Sequence, residues 1–257
     1  MTVPDIDDRL RAAVTRMIRR GIRLSRKTGR TITFARASSA QPVDLRELDP
    51  DRAEGAARLE RELKGKRNYY FFAGLGELSE RNRIHWTALN RPLAYRIGVS
   101  LLVFGAMLLR AGRLKNRLYR LAGVTLGPNT EIMQGAWLDH FCPELIVIGE
   151  GCLIGAFCKL STHAYEGGGK VRVGLIRIGD GVLLGSGTSL AAIRIADGVR
   201  VLPNTTLSPY FARLHPGSVV GFSPPPVKAG EDVSSTEGAS PGVKDQRDIS
   251  DIRDIKG

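Results

Sequence analysis

Two stretches of the chain, IGEGCLIGAFCKL (148–160) and IGDGVLLGSGTSL (178–190), carry an aliphatic residue every six positions. The same clock places Leu126, Ile132 and Leu138 before them and Ile195, Val201 and Leu207 after them. A period this short, sustained over four groups of three, marks a repeat architecture in which each group is one eighteen-residue coil of three short strands. If these aliphatic residues point inward, the position four further on should also meet a narrow interior and be small. Ten of the twelve positions fit: Thr130, Ala136, Cys142, Cys152, Cys158, Ala164, Val182, Thr188, Val199 and Thr205. Arg194 falls where the spacing slips to five, and Phe211 where the pattern stops. The three cysteines therefore read as interior fillers rather than as a disulfide or a metal site.

Glycine follows the aliphatic residue at positions 127, 149, 155, 179 and 185, where a chain that turns every six residues gains from the missing Cβ. The clock is interrupted at 143–147 and again at 165–175, where Gly167, Gly168 and Gly169 suggest a flexible loop directly after Ser161-Thr162-His163-Ala164-Tyr165. Upstream, residues 4–27 and 44–64 are rich in Arg, Leu, Ala and Glu at helical spacing and predict two helices. Residues 97–109 form a largely apolar run followed by Arg110, Arg113, Lys115, Arg117 and Arg120. Thirteen residues are too few to cross a bilayer, which takes about 20, and suit a core or an interfacial helix.

The net charge of +12 is unevenly placed. Residues 1–36 carry +7 and residues 91–120 carry +7, while 121–231 is balanced and the polar tail is slightly acidic. A nucleic-acid partner is not expected, because no phosphate loop, zinc-finger spacing or aromatic RNA-binding signature accompanies the charge. The basic segments have a plain reading as solvated helix faces. Cations beside the apolar run at 91–120 fit an anionic membrane surface better. An odd number of cysteines, no long apolar segment and no signal-peptide core point to a cytoplasmic protein, peripheral at the inner face of the membrane if that contact forms.

The strand-turn clock over residues 121–228 resembles the hexapeptide-repeat acyltransferases, among them the maltose, galactoside and polysaccharide O-acetyltransferases. The resemblance implies a mainly β fold: a left-handed parallel β-helix at 121–228, preceded by an α-helical region at 1–120 and followed by a disordered tail at 229–257. It also implies acetyl-CoA or another acyl-CoA as cosubstrate, a homotrimer with sites between neighbouring helices, a saccharide or glycolipid hydroxyl as acceptor, and no metal. In the family a histidine at a coil corner is the general base. His163, in its Thr162-His163 step, matches the sugar O-acetyltransferases; His140, in its Asp139-His140 step, resembles the serine acetyltransferases, whose other motifs are missing here. Asp139 matches an aspartate that meets the acceptor or orients the base, with turn capping as its structural alternative. Gly185, Ser186, Pro203 and Asn204 lie where the family runs its pantetheine groove. His85 and His215 lie outside the repeats. A γ-class carbonic anhydrase would need three metal-binding histidines, a set this chain lacks, and a non-catalytic assembly scaffold is the alternative to an enzyme.

Overall fold

A computed structural model describes residues 6–29, 31–35, 43–63, 70–74, 92–166, 170–207 and 215–221. Helix α1 (Ile6–Thr28) turns Val14, Met17, Ile18 and Ile22 inward and stops at Gly29, whose left-handed φ of 69° ends the helix while its N–H donates to Ser25 O. Strands β1 (Ile32–Ala35) and β2 (Val43–Asp44) follow, then a 3-10 turn at Leu45–Leu48, helix α2 (Ala53–Leu63) and strand β3 (Tyr70–Gly74). The two helices expected here are present, but the amino-terminal region is not purely helical. The strands arise because Ile-Thr-Phe-Ala and Tyr-Phe-Phe-Ala are β-branched and aromatic runs that pair antiparallel.

Helices α3 (Leu93–Leu108) and α4 (Arg113–Ala122) form a hairpin, after which the repeats begin. Strands β4 (Thr125–Leu126), β7 (Ile146–Ile148), β12 (Ile176–Ile178) and β15 (Arg194–Ile195) make one parallel sheet. Strands β5 (Glu131–Ile132), β8 (Leu153–Ile154), β13 (Leu183–Leu184), β16 (Arg200–Val201) and β18 (Val219–Val220) make a second. Strands β6 (Trp137–Leu138), β9 (Lys159–Ser161), β14 (Ser189–Ala191) and β17 (Thr206–Leu207) make a third. The chain visits the three sheets in rotation, and the register aligns the clock residues: Leu126, Ile148, Ile178 and Ile195 in one ladder, Leu138, Leu160, Leu190 and Leu207 in another. All twelve are buried and share one core with Cys152 and Cys158. Cys142 is also buried, but in a second core with α1, Leu145 and Val147. Thr205 and Arg194 are half-buried, and Phe211 lies outside the described residues.

The glycines after the clock residues have a different cause from the one expected. None of the five has a positive φ; a Cβ on Gly185 would lie 2.4 Å from Pro203 N, so it is the next layer of backbone that excludes a side chain. The left-handed turn is made two residues later, at Asn129, Gly151, Gly181 and Gly198 after the first sheet and at Gly135, Phe157, Gly187 and Asn204 after the second. At the corner after the third sheet the only such residue among the described ones is Ala192, φ 44°, directly after β14, and at this corner the chain departs from the repeat.

The segment at 165–175 is not a projecting loop in its described part. Strands β10 (His163–Glu166) and β11 (Lys170–Gly174) pair with each other, and β11 pairs with β3, giving a five-stranded sheet ordered β10-β11-β3-β1-β2. The segment is thereby tied to the amino-terminal region of the same chain. The tail at 229–257 lies outside the described residues.

Strands β4, β5 and β6 are the first of their sheets and would leave carbonyls unpaired. Helix α4 supplies donors to these first corners. Tyr119 OH donates to Ala136 O at 2.6 Å, Asn116 Nδ2 to Thr130 O at 2.6 Å, and Arg120 to Leu126 O and Gly127 O. Lys115, 1% exposed, donates from Nζ to Leu109 O at 2.9 Å and Met133 O at 2.6 Å.

Leu160→Ala should destabilise the protein by about 2–5 kcal/mol in urea denaturation, since the ladder cannot collapse onto the cavity. Burial holds Lys115 down at about 8, below its unfolded value of about 10.4. Between those values the unfolded chain binds the additional proton, so stability rises with pH. Lys115→Met should flatten that rise, as seen by comparing denaturation midpoints of both proteins at about pH 8 and pH 10.

Candidate active site

The third corner gathers residues from two stacked layers. Asp139 directly follows β6, and Thr162 and His163 follow the strand body of β9, whose Leu160 is in register with Leu138. Asp139 is fully buried. Its Oδ1 accepts from Phe141 N–H at 2.8 Å, and its Oδ2 accepts from Thr162 N–H at 2.8 Å and Thr162 Oγ1–H at 2.6 Å. The same Oδ2 lies 2.6 Å from His163 Nδ1.

Burial pushes the Asp139 pKa up, but the His163 ring and the Thr162 and Phe141 donors outweigh it and hold the carboxyl below its usual range. An ionised carboxylate only accepts, so the proton between the two sits on His163 Nδ1, and in the neutral ring Nε2 is the basic nitrogen. The His163 side chain is 13% exposed, enough to meet a ligand while its other edge is fixed. Its backbone is fixed as well: Ser161 Oγ donates to His163 O, and Gly174 N–H donates to Thr162 O across the hairpin.

His140 is held differently. Its ring lies 4.2 Å from Phe141, 5.6 Å from Phe104 and 5.9 Å from Trp137, centroid to centroid. Its Nδ1 is buried without a hydrogen-bond partner among the described residues. Burial lowers its pKa, the Asp139 carboxylate pulls it partly back, and the neighbouring His163 lowers it further. Phe141 stands edge-on to His163 at 4.8 Å, so an aromatic wall runs from Phe104 to His163.

The structure therefore joins Asp139, His140 and His163 at one corner. Gly185, Ser186, Pro203 and Asn204 are also joined to one another, since Pro203 N packs where a Gly185 Cβ would be and Asn204 N–H donates to Ser186 O at 2.9 Å. They occupy the second corner, however, and within one chain the third sheet separates them from His163. His215 is exposed, and His85 lies outside the described residues. Sequence reading missed Thr162 as the second anchor of Asp139 and missed Phe104. The Thr162-His163 pair was visible, but the role of its hydroxyl depends on which carboxylate stacks above it. Phe104 belongs to a helix more than thirty residues upstream of His140 and gave no signal. Among the described residues no group of His, Cys, Asp and Glu could hold a metal ion.

No protein-family model and no curated protein sequence matches this chain.

Asp139→Ala should destabilise the protein by at least about 2 kcal/mol, because each buried donor left without an acceptor costs about 1–3 kcal/mol. With its folded pKa depressed, Asp139 contributes stability above the unfolded value of about 3.9 and loses it as pH falls through the folded value. Acid unfolding followed by circular dichroism should be less steep for Asp139→Asn than for the parent protein.

Proposed function

We propose that the three parallel sheets form a left-handed parallel β-helix and that the protein is an acyl-CoA-dependent O-acyltransferase acting on a saccharide or glycolipid hydroxyl. The observation that carries this reading is Asp139 Oδ2 at 2.6 Å from His163 Nδ1, a buried carboxylate fixing the tautomer of a partly exposed imidazole. The resemblance of the six-residue clock to the hexapeptide acyltransferases supports the donor class.

In this mechanism the acceptor hydroxyl attacks the thioester carbonyl carbon while its proton passes to His163 Nε2. Asp139 stabilises the imidazolium that forms and does not itself take the proton. Collapse of the tetrahedral intermediate breaks the carbon–sulfur bond, and the proton on Nε2 passes to the departing coenzyme A thiolate. An ester and free coenzyme A result, with no redox change. His140 is the weaker base: no carboxylate orients its ring, and burial disfavours its protonation.

Because the Gly185–Ser186 and Pro203–Asn204 corner is separated from His163 within one chain, a donor seated on it would reach the base of a neighbouring copy. This favours a homotrimer with sites between copies. Light scattering at micromolar concentration should give three chains, and a monomer would remove the shared-site mechanism.

His163→Ala should lower acyl transfer by about 100-fold to 10,000-fold with coenzyme A binding retained, measured as thioester consumption across a panel of saccharides and acyl lengths. His140→Ala should have the smaller effect. The reverse order would make His140 the base, and a parent protein inert with every donor and acceptor would favour a non-catalytic scaffold.

A further inference from the structure

Helix α3 is apolar on two opposite sides. Val99, Val103 and Ala106 are buried against the sheets, whereas Leu93, Ile97, Leu101, Phe104 and Leu108 are 63%, 52%, 69%, 45% and 73% exposed. The exposed five recur at intervals of three or four residues, so they form one stripe on the side of the helix opposite Val99, Val103 and Ala106. On α4, Leu114 and Leu121 are also exposed, with Arg113 and Arg117 on the same outer side. At the far end of α3, Gly135 N–H donates to Met107 O, and the 67% exposed Phe157 covers Gly135. An apolar surface of this extent marks an interaction site.

Charge decides the occupant. Four of the ten amino-terminal cations pair with carboxylates of the chain: Arg11 with Glu60, Arg19 with Asp51, Arg20 with Glu144 and Arg26 with Asp49. Residues 92–130 contain no Asp or Glu at all, and Arg110, Arg113, Arg117 and Arg120 are exposed there. A second copy meeting this face through the same face would bring like charges together, whereas an anionic lipid surface neutralises them. The sixteen residues of α3 rise about 24 Å, short of the roughly 30 Å hydrocarbon core, so the helix suits the headgroup boundary. No helix among the described residues is long and apolar enough to cross a membrane.

We infer that the α3–α4 face docks on an anionic lipid bilayer, with the α3 stripe lying in the headgroup boundary and the α4 arginines on the lipid phosphates. The docking requires no acyl-transfer chemistry. Resting on the proposed activity, it further makes the acceptor lipid-borne, because Phe104 belongs to the stripe and also touches the His140 ring beside the Asp139–His163 pair.

The test is co-sedimentation of the full chain with vesicles of phosphatidylcholine alone and of phosphatidylcholine with phosphatidylglycerol, at low and high salt. Binding should favour the anionic vesicles and weaken with salt. Leu101→Glu with Leu108→Glu, and separately Arg113→Glu with Arg117→Glu, should each lower partition by about tenfold or more. All four side chains are exposed, and an unchanged thermal midpoint confirms that each variant folds. Equal binding to both vesicle types, or undiminished binding by the leucine variant, would overturn the inference. So would a leucine variant that loses self-association while the parent protein ignores vesicles, which would make a second copy the occupant. Vesicle binding is read without donor or acceptor, so its failure is distinct from a failure of the acyl-transfer reading.

Discussion

In-register stacking of short parallel strands is the constraint on which the rest of the structure depends. Strands of two or three residues cannot hold a ladder alone, so each clock residue must meet another aliphatic residue one layer away, as Leu138, Leu160, Leu190 and Leu207 do. Such a stack has ends, and an end is a row of unpaired backbone groups. Helix α4 answers this with side-chain donors aimed at the carbonyls of the first layer. One of them, Lys115, is a nearly inaccessible cation held by two carbonyls, a costly group that burial drives toward neutrality.

The candidate site follows from the same stacking. Register between β6 and β9 brings Asp139 beside Thr162 in the next layer, but the ladder alone would leave a corner like any other. Here the chain leaves the repeat at Thr162, runs out and back as β10 and β11, and is fastened by β11 to β3. His163 is the first residue of that excursion, so the parallel stack positions the carboxylate and the antiparallel sheet positions the imidazole. The amino-terminal region is in this sense part of the site's support.

The two basic segments show why charge has to be read with its partners. Both carry +7 in sequence. In α1 four arginines, Arg11, Arg19, Arg20 and Arg26, meet carboxylates of later elements, and the pair of Arg20 with Glu144 is mostly shielded from solvent at 3.1 Å. Helices α3 and α4 carry no carboxylate of their own, and the helix surface beside the arginines is hydrocarbon. Equal charge thus sits in two different surroundings, one with carboxylates from other elements and one beside exposed hydrocarbon.

The sequence by itself determined the inward residues and the rotation among three sheets in steps of six, because burial on a regular stack imposes a strict period on residue type, and the two amino-terminal helices through their helical spacing; His163 was nominated by the resemblance of its Thr162-His163 step to the sugar O-acetyltransferases. It also singled out Asp139, without deciding between turn capping and a hold on the histidine; the structure has Oδ1 accepting from Phe141 N–H in the turn and Oδ2 beside His163 Nδ1. Its reading of the five glycines had the position right and the cause wrong, since close approach between layers cannot be seen in one layer's sequence. The strands β1 and β3, the pairing of the 165–175 segment, the hold of Thr162 on Asp139 and the approach of Phe104 to His140 were decided only by tertiary structure. Each joins residues distant in sequence, and local periodicity records which way a side chain faces but not what it finds there.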